Sequence, residues 1–196
     1  QNGLIDSTIT IGNAFGGDYE CINIYTGLIT AKEIAKADVV FVSMGPGIAG
    51  TGTKYGFTGI EQGQILDAVK KLGGNPIAIP RISFADKRDR HQGISHHSIT
   101  VFDKIVNVDV NIPITIYESQ KLNKIKEQIK ENKLDEKHNI IFIENNKCKE
   151  DLEYFGLKVK SMGRNYDEDS EFFDSASSAA YYLMEVCHDW ERKYCK

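Results

Sequence analysis

The stretch Arg81-Ile-Ser-Phe-Ala-Asp-Lys-Arg-Asp-Arg-His-Gln-Gly-Ile-Ser-His-His97 gathers Arg81, Lys87, Arg88, Arg90, His91, His96 and His97 against only Asp86 and Asp89, in a chain of net charge -4. Arginine can grip a carboxylate or phosphate through two parallel N–H donors, and histidine exchanges a proton near neutral pH. Ser95 is placed to cap the helix predicted behind it, which turns further amide donors toward the same neighbourhood. The segment is therefore suited to holding a small anion and moving protons around it. A solvated basic loop accounts for Lys87 and Arg88 equally well. His96 and His97 are neighbours on a predicted helical turn, so their side chains are expected about 100° apart, one reaching a ligand while the other packs or caps.

A second unusual stretch, Val42-Ser-Met-Gly-Pro-Gly-Ile-Ala-Gly-Thr-Gly-Thr-Lys-Tyr-Gly-Phe-Thr-Gly59, holds six glycines in eighteen residues. Gly45, Gly47, Gly50 and Gly52 would expose consecutive backbone N–H groups, Thr51 and Thr53 add hydroxyls, and Lys54 adds a positive charge, which together make an anion nest. Gly45 to Gly50 match G-x-G-x-x-G, but seven residues intervene before a helix begins, whereas dinucleotide binding needs the helix to start within the glycines. The order Gly-Thr-Lys likewise departs from the phosphate-loop order Gly-Lys-Thr. The alternative is a tight Ω-type loop that packs for its own sake.

Carboxylates supply candidate general bases: Asp18, Glu20, Glu61, Asp67 and Asp86. Glu61 opens a predicted helix, where the dipole favours an acid in any case, and Asp18 reads equally as the N-cap of the first helix. His91 with His96 or His97, plus Asp18 or Glu20, would make a metal site, but no H-x-x-x-H or H-E-x-x-H spacing supports one and no metal ligand is assigned. Arg164, in Ser-Met-Gly-Arg after a late strand, could close over an anion or pair with Asp167 or Glu168. No Gly-x-Ser-x-Gly elbow is present, which argues against covalent hydrolase chemistry.

These residues need elements to hold them. Apolar runs at residues 8–11, 39–44, 76–82, 108–117, 139–143 and 157–160 read as strands, with Pro113 marking an edge position; helical periodicity covers 19–36, 60–72, the short segment after Ser95, 121–137 and 170–191. Several strands are continuously apolar and alternate with helices. That pattern predicts a single α/β domain with a doubly wound, mostly parallel sheet covered by helices on both faces, Rossmann-like or flavodoxin-like, in three layers. The three long loops, residues 12–20, the glycine-rich stretch 42–59 and residues 81–97, would then open together at the carboxyl edge of the sheet, where such folds bind ligands.

The balance of charges, with a sequence pI near 5.8, excludes the basic excess that nucleic-acid binding requires. No apolar run is long enough to span a membrane, and Cys21, Cys148, Cys187 and Cys195 lack any paired spacing and read as thiols. The expectation is a cytoplasmic protein. A homodimer is compatible with the general preference for twofold assembly, though no interface is legible.

The segments quoted above, together with "GNAFGGDYECINIYTGL" before them and "MGR" after, resemble the bacterial domain-of-unknown-function family number 3866. The resemblance runs from residue 8 to about 105. It implies a C-terminal part of a longer chain, whose N-terminal part would help complete the site. It implies no reaction, cofactor or catalytic residues. Read from the residues, the leading function is binding of a small anionic, phosphorylated or nucleotide-like metabolite, with acid/base chemistry by His91, His96, His97, Glu61 and Asp18. A non-catalytic ligand-sensing or assembly module is the alternative, and a metal-dependent hydrolase a lesser one.

Overall fold

The computed structural model describes residues 3–45, 47–144 and 147–194. In chain order the elements are β1 (Ile9–Ile11), β2 (Tyr19–Cys21), α1 (Ile24–Ile29), α2 (Glu61–Lys71), β3 (Ile82–Ser83), β4 (Gly93–Ile94), α3 (His96–Thr100), β5 (Asn111–Thr115), α4 (Ser119–Glu131), α5 (Leu134–Lys137), β6 (Asn139–Ile143), α6 (Cys148–Tyr154) and α7 (Ser170–Tyr194). α1 and α3 each run on into a π-helical turn, Thr30–Ile34 and Val101–Ile105.

The strands do not assemble into one sheet. They form three two-stranded ladders: β1 with β2 parallel, β3 with β4 antiparallel, and β5 with β6 parallel. The expected doubly wound sandwich, Rossmann-like or flavodoxin-like, is therefore absent, and with it the single carboxyl edge on which the three loops were to meet.

Proline explains where the central sheet stops. The Ile116 N–H donates to Ile143 O, so even-numbered residues of the β5 run face β6 and odd-numbered ones face residues 76–82. On that side Asn111 N donates to Pro76 O and Ala78 N to Asn111 O, a single parallel bridge at Ile77. The next two hydrogen bonds of the ladder would need the N–H groups of Pro113 and Pro80, which have none. Pro113 thus occupies the edge position expected of it, and residues 79–81 leave the ladder.

Two other expected strands form no ladder. Residues 39–44 are unpaired, and near residues 157–160 there is only the isolated bridge between Ser161 and Arg164. The predicted helix over 19–36 begins late, because Tyr19–Cys21 extends alongside β1 and Asn23 then caps α1 by accepting from Thr26 N. The helix expected over 121–137 is broken at Lys133, whose φ of +53° separates α4 from α5. α4 buries Ile125 and Ile129, α5 buries Leu134, and α2 buries Leu66, although Leu72 at its end is exposed.

One core joins the pieces from α2 to β6: Ile82, Ile94, Val101, Phe102, Ile112, Ile114, Ile125 and Leu134 are all nearly inaccessible, and the described residues of β1, β2 and α1 lie outside it. α7 lies along β5 and β3 through a polar seam, in which Ser175 Oγ donates to Pro80 O at 2.5 Å and Thr115 Oγ1 is hydrogen-bonded to Ser178 Oγ. The Pro80 carbonyl, freed from the sheet, is thereby satisfied from a helix. α2 packs close to the turn after α3, where a Cβ on Gly63 would fall 2.7 Å from Ile105 Cγ2.

Among the described residues no helix is long and apolar enough to cross a membrane. Cys21, Cys148 and Cys187 are free thiols, and Cys195 lies outside the described residues. Burial pushes the Cys148 thiol up to about 11, so it is not a ready nucleophile.

Candidate functional site

β3 and β4 pair over two residues and so pinch off residues 84–92 as a closed loop. Asp86 sits at its centre, nearly inaccessible. Arg88 holds it bidentately, Nε to Oδ1 at 3.0 Å and Nη2 to Oδ2 at 2.8 Å, and the Arg88 N–H donates to Oδ1 at 3.1 Å. Arg81 Nη2 approaches Oδ2 at 3.4 Å. These donors keep the carboxyl of Asp86 far below its ordinary range despite burial.

The open edge of β4 is closed by a side chain from α4. Gln128 Oε1 accepts from Ile94 N at 2.8 Å, and Nε2 donates to Gln92 O at 3.1 Å and to Ile94 O at 3.2 Å. Gly93 has φ +76°, and a Cβ there would collide with Gln128 Oε1, so glycine is required for this fit. Gln92 in turn donates to the carbonyls of Phe84 and Asp86. Helix α4 thus sets the geometry of a loop that is distant from it in sequence.

Three histidines converge on this loop. The ring centroids of His91 and His96 are 4.7 Å apart, those of His91 and His97 5.7 Å, and those of His96 and His97 4.0 Å. His96 and His97 therefore lie together rather than diverging as the helical wheel implied, because His96 turns back so that Nδ1 meets Arg90 O at 3.2 Å. His97 stacks on Phe57, 4.2 Å between centroids at 17°. Ser95 caps α3 as expected, accepting from His97 N.

The partners assign the protons. His91 Nδ1 is 2.9 Å from Ser95 Oγ and 3.3 Å from Arg81 Nη1. Arginine only donates, so this Nδ1 carries the lone pair and the proton is on Nε2. The Arg90 carbonyl only accepts, so His96 carries its proton on Nδ1 and leaves Nε2 bare. One ring presents a donor and its neighbour an acceptor. Burial, reinforced by Arg88 and Arg81, lowers the His91 pKa to about 4. Burial, reinforced by His96 and the arginines, lowers that of His97 to about 4. His96 is lowered as well, chiefly by burial and then by Arg90. All three are neutral at pH 7 in a field of positive charge.

The remaining residues singled out from the sequence lie apart from these rings or touch them indirectly. Gly45, Gly47 and Gly52 stand in open space, and Gly47 has φ +142°. Gly50 bridges to Phe57. Thr51 Oγ1 bonds to Thr53 Oγ1 at 2.9 Å and to Gly56 O at 3.1 Å, so both hydroxyls close the hairpin on itself. Lys54 lies over the Tyr55 ring, 5.6 Å from its centroid. Among the described residues, Phe57 carries this loop to the histidines. Glu61 opens α2, exposed, and Asp18 accepts from Thr8 N at 2.7 Å and Thr8 Oγ1 at 2.9 Å, a tether to β1 instead of a helix cap. Among the described residues neither acid makes a hydrogen bond or ion pair with a histidine, and no group of three or more His, Cys, Asp or Glu is arranged to hold a metal ion.

A family model described as "Protein of unknown function (DUF3866)" matches residues 1–180. The chain belongs to the DUF3866 family. No curated protein and no solved structure matches it, so the chemistry of this DUF3866 chain is read from its own geometry.

The DUF3866 match extends past the histidine loop to a buried ion pair that the sequence reading missed. Arg164 Nε donates to Asp169 Oδ2 at 2.9 Å, and Ser83 Oγ lies 2.8 and 3.0 Å from the two Asp169 oxygens; the Asp169 side chain is wholly inaccessible. Arg164 was expected to pair with Asp167 or Glu168. Asp167 instead pairs with Lys149, and Glu168 caps Asn165 reciprocally. Met162 and Gly163, both at positive φ, make the tight turn that brings Arg164 back to Ser161. Only the run of turn-forming residues before α7 hinted at this in the sequence. Ser83 stands beside Gly93 in the β3–β4 ladder, so the pair braces the base of the histidine loop from the side opposite Gln128.

Proposed function

We propose that the chain binds a small tetrahedral anion, such as the phosphoryl group of a metabolite, at the loop from Arg81 to His97, with the histidines managing its protons. The observation that carries this reading is the packing of three neutral imidazoles within 5.7 Å of one another beside Arg81, Arg88 and Arg90. Positive charge that depresses a histidine's pKa is charge that an anion would offset. Arg88 is engaged by Asp86 through Nε and Nη2, and Arg81 is shared between Asp86 and His91. Arg90 is exposed, and among the described residues no ion pair engages it, which leaves its guanidinium to clamp a ligand bidentately.

In this reading the bare Nε2 of His96 takes a proton and the Nε2–H of His91 donates one, a complementary pair suited to acid/base work on a bound phosphoryl or hydroxyl group. Ser95 and Arg81 fix the tautomer of His91. The glycine loop has a secondary part. Lys54 lies three residues ahead of Phe57, so closure of the hairpin over the rings would add its charge and the amides of Gly45, Gly47, Gly50 and Gly52.

Titration with sulfate by isothermal calorimetry tests the reading, because sulfate mimics a phosphoryl dianion and does not itself titrate between pH 5 and 8. Binding that weakens about tenfold in Arg90→Ala, the equivalent of about 1.4 kcal/mol, is the expected result. No heat at millimolar sulfate, or binding indifferent to Arg90, would end the proposal.

A further inference from the structure

The three rings of the histidine cluster differ in what each has left to offer. His91 is buried, and its Nδ1 is engaged by Ser95 Oγ and Arg81 Nη1. His97 lies face to face with Phe57, and among the described residues no hydrogen bond to its ring fixes the tautomer. His96 is only half-buried, its Nδ1–H is tied to Arg90 O at 3.2 Å, and among the described residues nothing hydrogen-bonds to its Nε2. That hydrogen bond fixes which nitrogen is bare. It also strengthens as positive charge develops on the ring, which is the support a nucleophilic imidazole needs. The neighbouring Ser95 hydroxyl is wholly inaccessible and does not compete.

Charge decides which electrophile suits that lone pair. Arg90, Arg88 and Arg81 all act on the His96 ring with the same sign. Among the described residues Asp86 is the one carboxylate paired with any of the three. A proton added at Nε2 brings a further positive charge into this field. A phosphoryl group transferred as metaphosphate brings a negative one.

We propose that His96 Nε2 accepts the phosphoryl group of an acyl phosphate, forming a covalent phosphohistidine. The proposal rests on the anion-binding reading above, because Arg90 must first hold the donor. The Nε2 lone pair forms the N–P bond as the P–O bond to the acyl oxygen breaks, and the electron pair of that bond leaves with a carboxylate. The Nδ1 proton stays in place, so the ring becomes an imidazolium held against the Arg90 carbonyl. A carboxylate departs without taking a proton, which suits a site whose three histidines are neutral. Arg90 meets the phosphoryl oxygens throughout.

Incubation of the full chain with acetyl phosphate, followed by phosphorus NMR and tandem mass spectrometry under alkaline conditions, is the test. The expected product carries one phosphoryl group, labile to acid and stable to alkali, on His96. Sulfate should compete with its formation, and Arg90→Ala, a change at an exposed side chain, should slow it about tenfold, the factor expected for sulfate binding. Calorimetry with sulfate on the same preparation separates the two readings. A chain that binds sulfate but gains no phosphohistidine, or gains it on His97 and on exposed lysines as readily as on His96, overturns the covalent step and leaves the anion site standing. A chain that neither binds sulfate nor is phosphorylated overturns both.

Discussion

The ring of Phe57 lies nearly parallel to that of His97, 4.2 Å away, and this is the contact through which the glycine-rich loop reaches the histidine cluster. Phe57 is buried and belongs to the main core. Truncation in Phe57→Ala should therefore cost about 3 kcal/mol of stability in urea denaturation, as for other buried aromatics. The same change admits water beside His97, so its pKa should rise toward 6.5, as read from the imidazole proton shifts by NMR. A stability loss with no movement of that pKa would show that Phe57 does not desolvate the ring.

Stability should fall as pH is lowered from 7 to 4. The folded-state pKa of His91 is about 4 against 6.5 for the free side chain, so the unfolded chain binds more protons between those values. The contribution is complete above pH 6.5 and is lost progressively down to pH 4. For His91 alone the loss at pH 5 is about 2 kcal/mol, and His97 adds in the same sense. Asp86 also has a lowered pKa, but its contribution is lost only as pH falls below its unfolded value of 3.8. Urea midpoints at pH 7 and 5 should differ accordingly, and His91→Gln should flatten the difference.

Gln128 makes its three hydrogen bonds to the backbone of β4 and the residue before it. In Gln128→Leu the Ile94 N–H is left buried without its acceptor, which costs about 2 kcal/mol. Amide hydrogen exchange at residues 86–92 should accelerate more than exchange in α7. Equal acceleration in both would mean that Gln128 supports the fold in general and not the loop.

Arg164→Ala leaves the Asp169 carboxylate buried with only the Ser83 hydroxyl. Breaking a buried pair from one side costs about 3 kcal/mol even at the lower end. Asp169→Asn, which removes the charge but keeps the shape, should cost less. Thermal denaturation of the two variants side by side gives the ordering, and the reverse ordering would mean that the Asp169 carboxylate is satisfied without Arg164.

How far the sequence revealed this molecule depended on which interaction decided each element. α2 and α4 were legible because their apolar periodicity matches the face they bury, as Leu66, Ile125 and Ile129 do, whereas α7 was legible as a helix but buries a polar face that includes Ser175 and Ser178. β5 and β6 were legible as strands. Their failure to recruit a third strand was not, because it turns on the pairing register that puts Pro113 and Pro80 at the next two donor positions of the ladder. The run at 39–43 reads as a buried strand but has no partner within the described residues of the chain. At the site, the loop carrying Arg81, His91 and Ser95 was visible from composition alone. The convergence of His96 with His97 was not, since it depends on a hydrogen bond to the Arg90 carbonyl that outweighs the helical-wheel expectation. Asp169 and Gln128 were missed because their partners, Ser83 and the β4 backbone, are 86 and 34 residues away.

An NMR pH titration of the ring protons of His91, His96 and His97, with and without sulfate, tests the central claim most directly. The account predicts that His91 and His97 titrate near 4 in the free protein and that sulfate raises the histidine values, with His96 responding because its Nε2 is open. Histidines that titrate near 6.5 without ligand, or that do not move when sulfate is added, would contradict it.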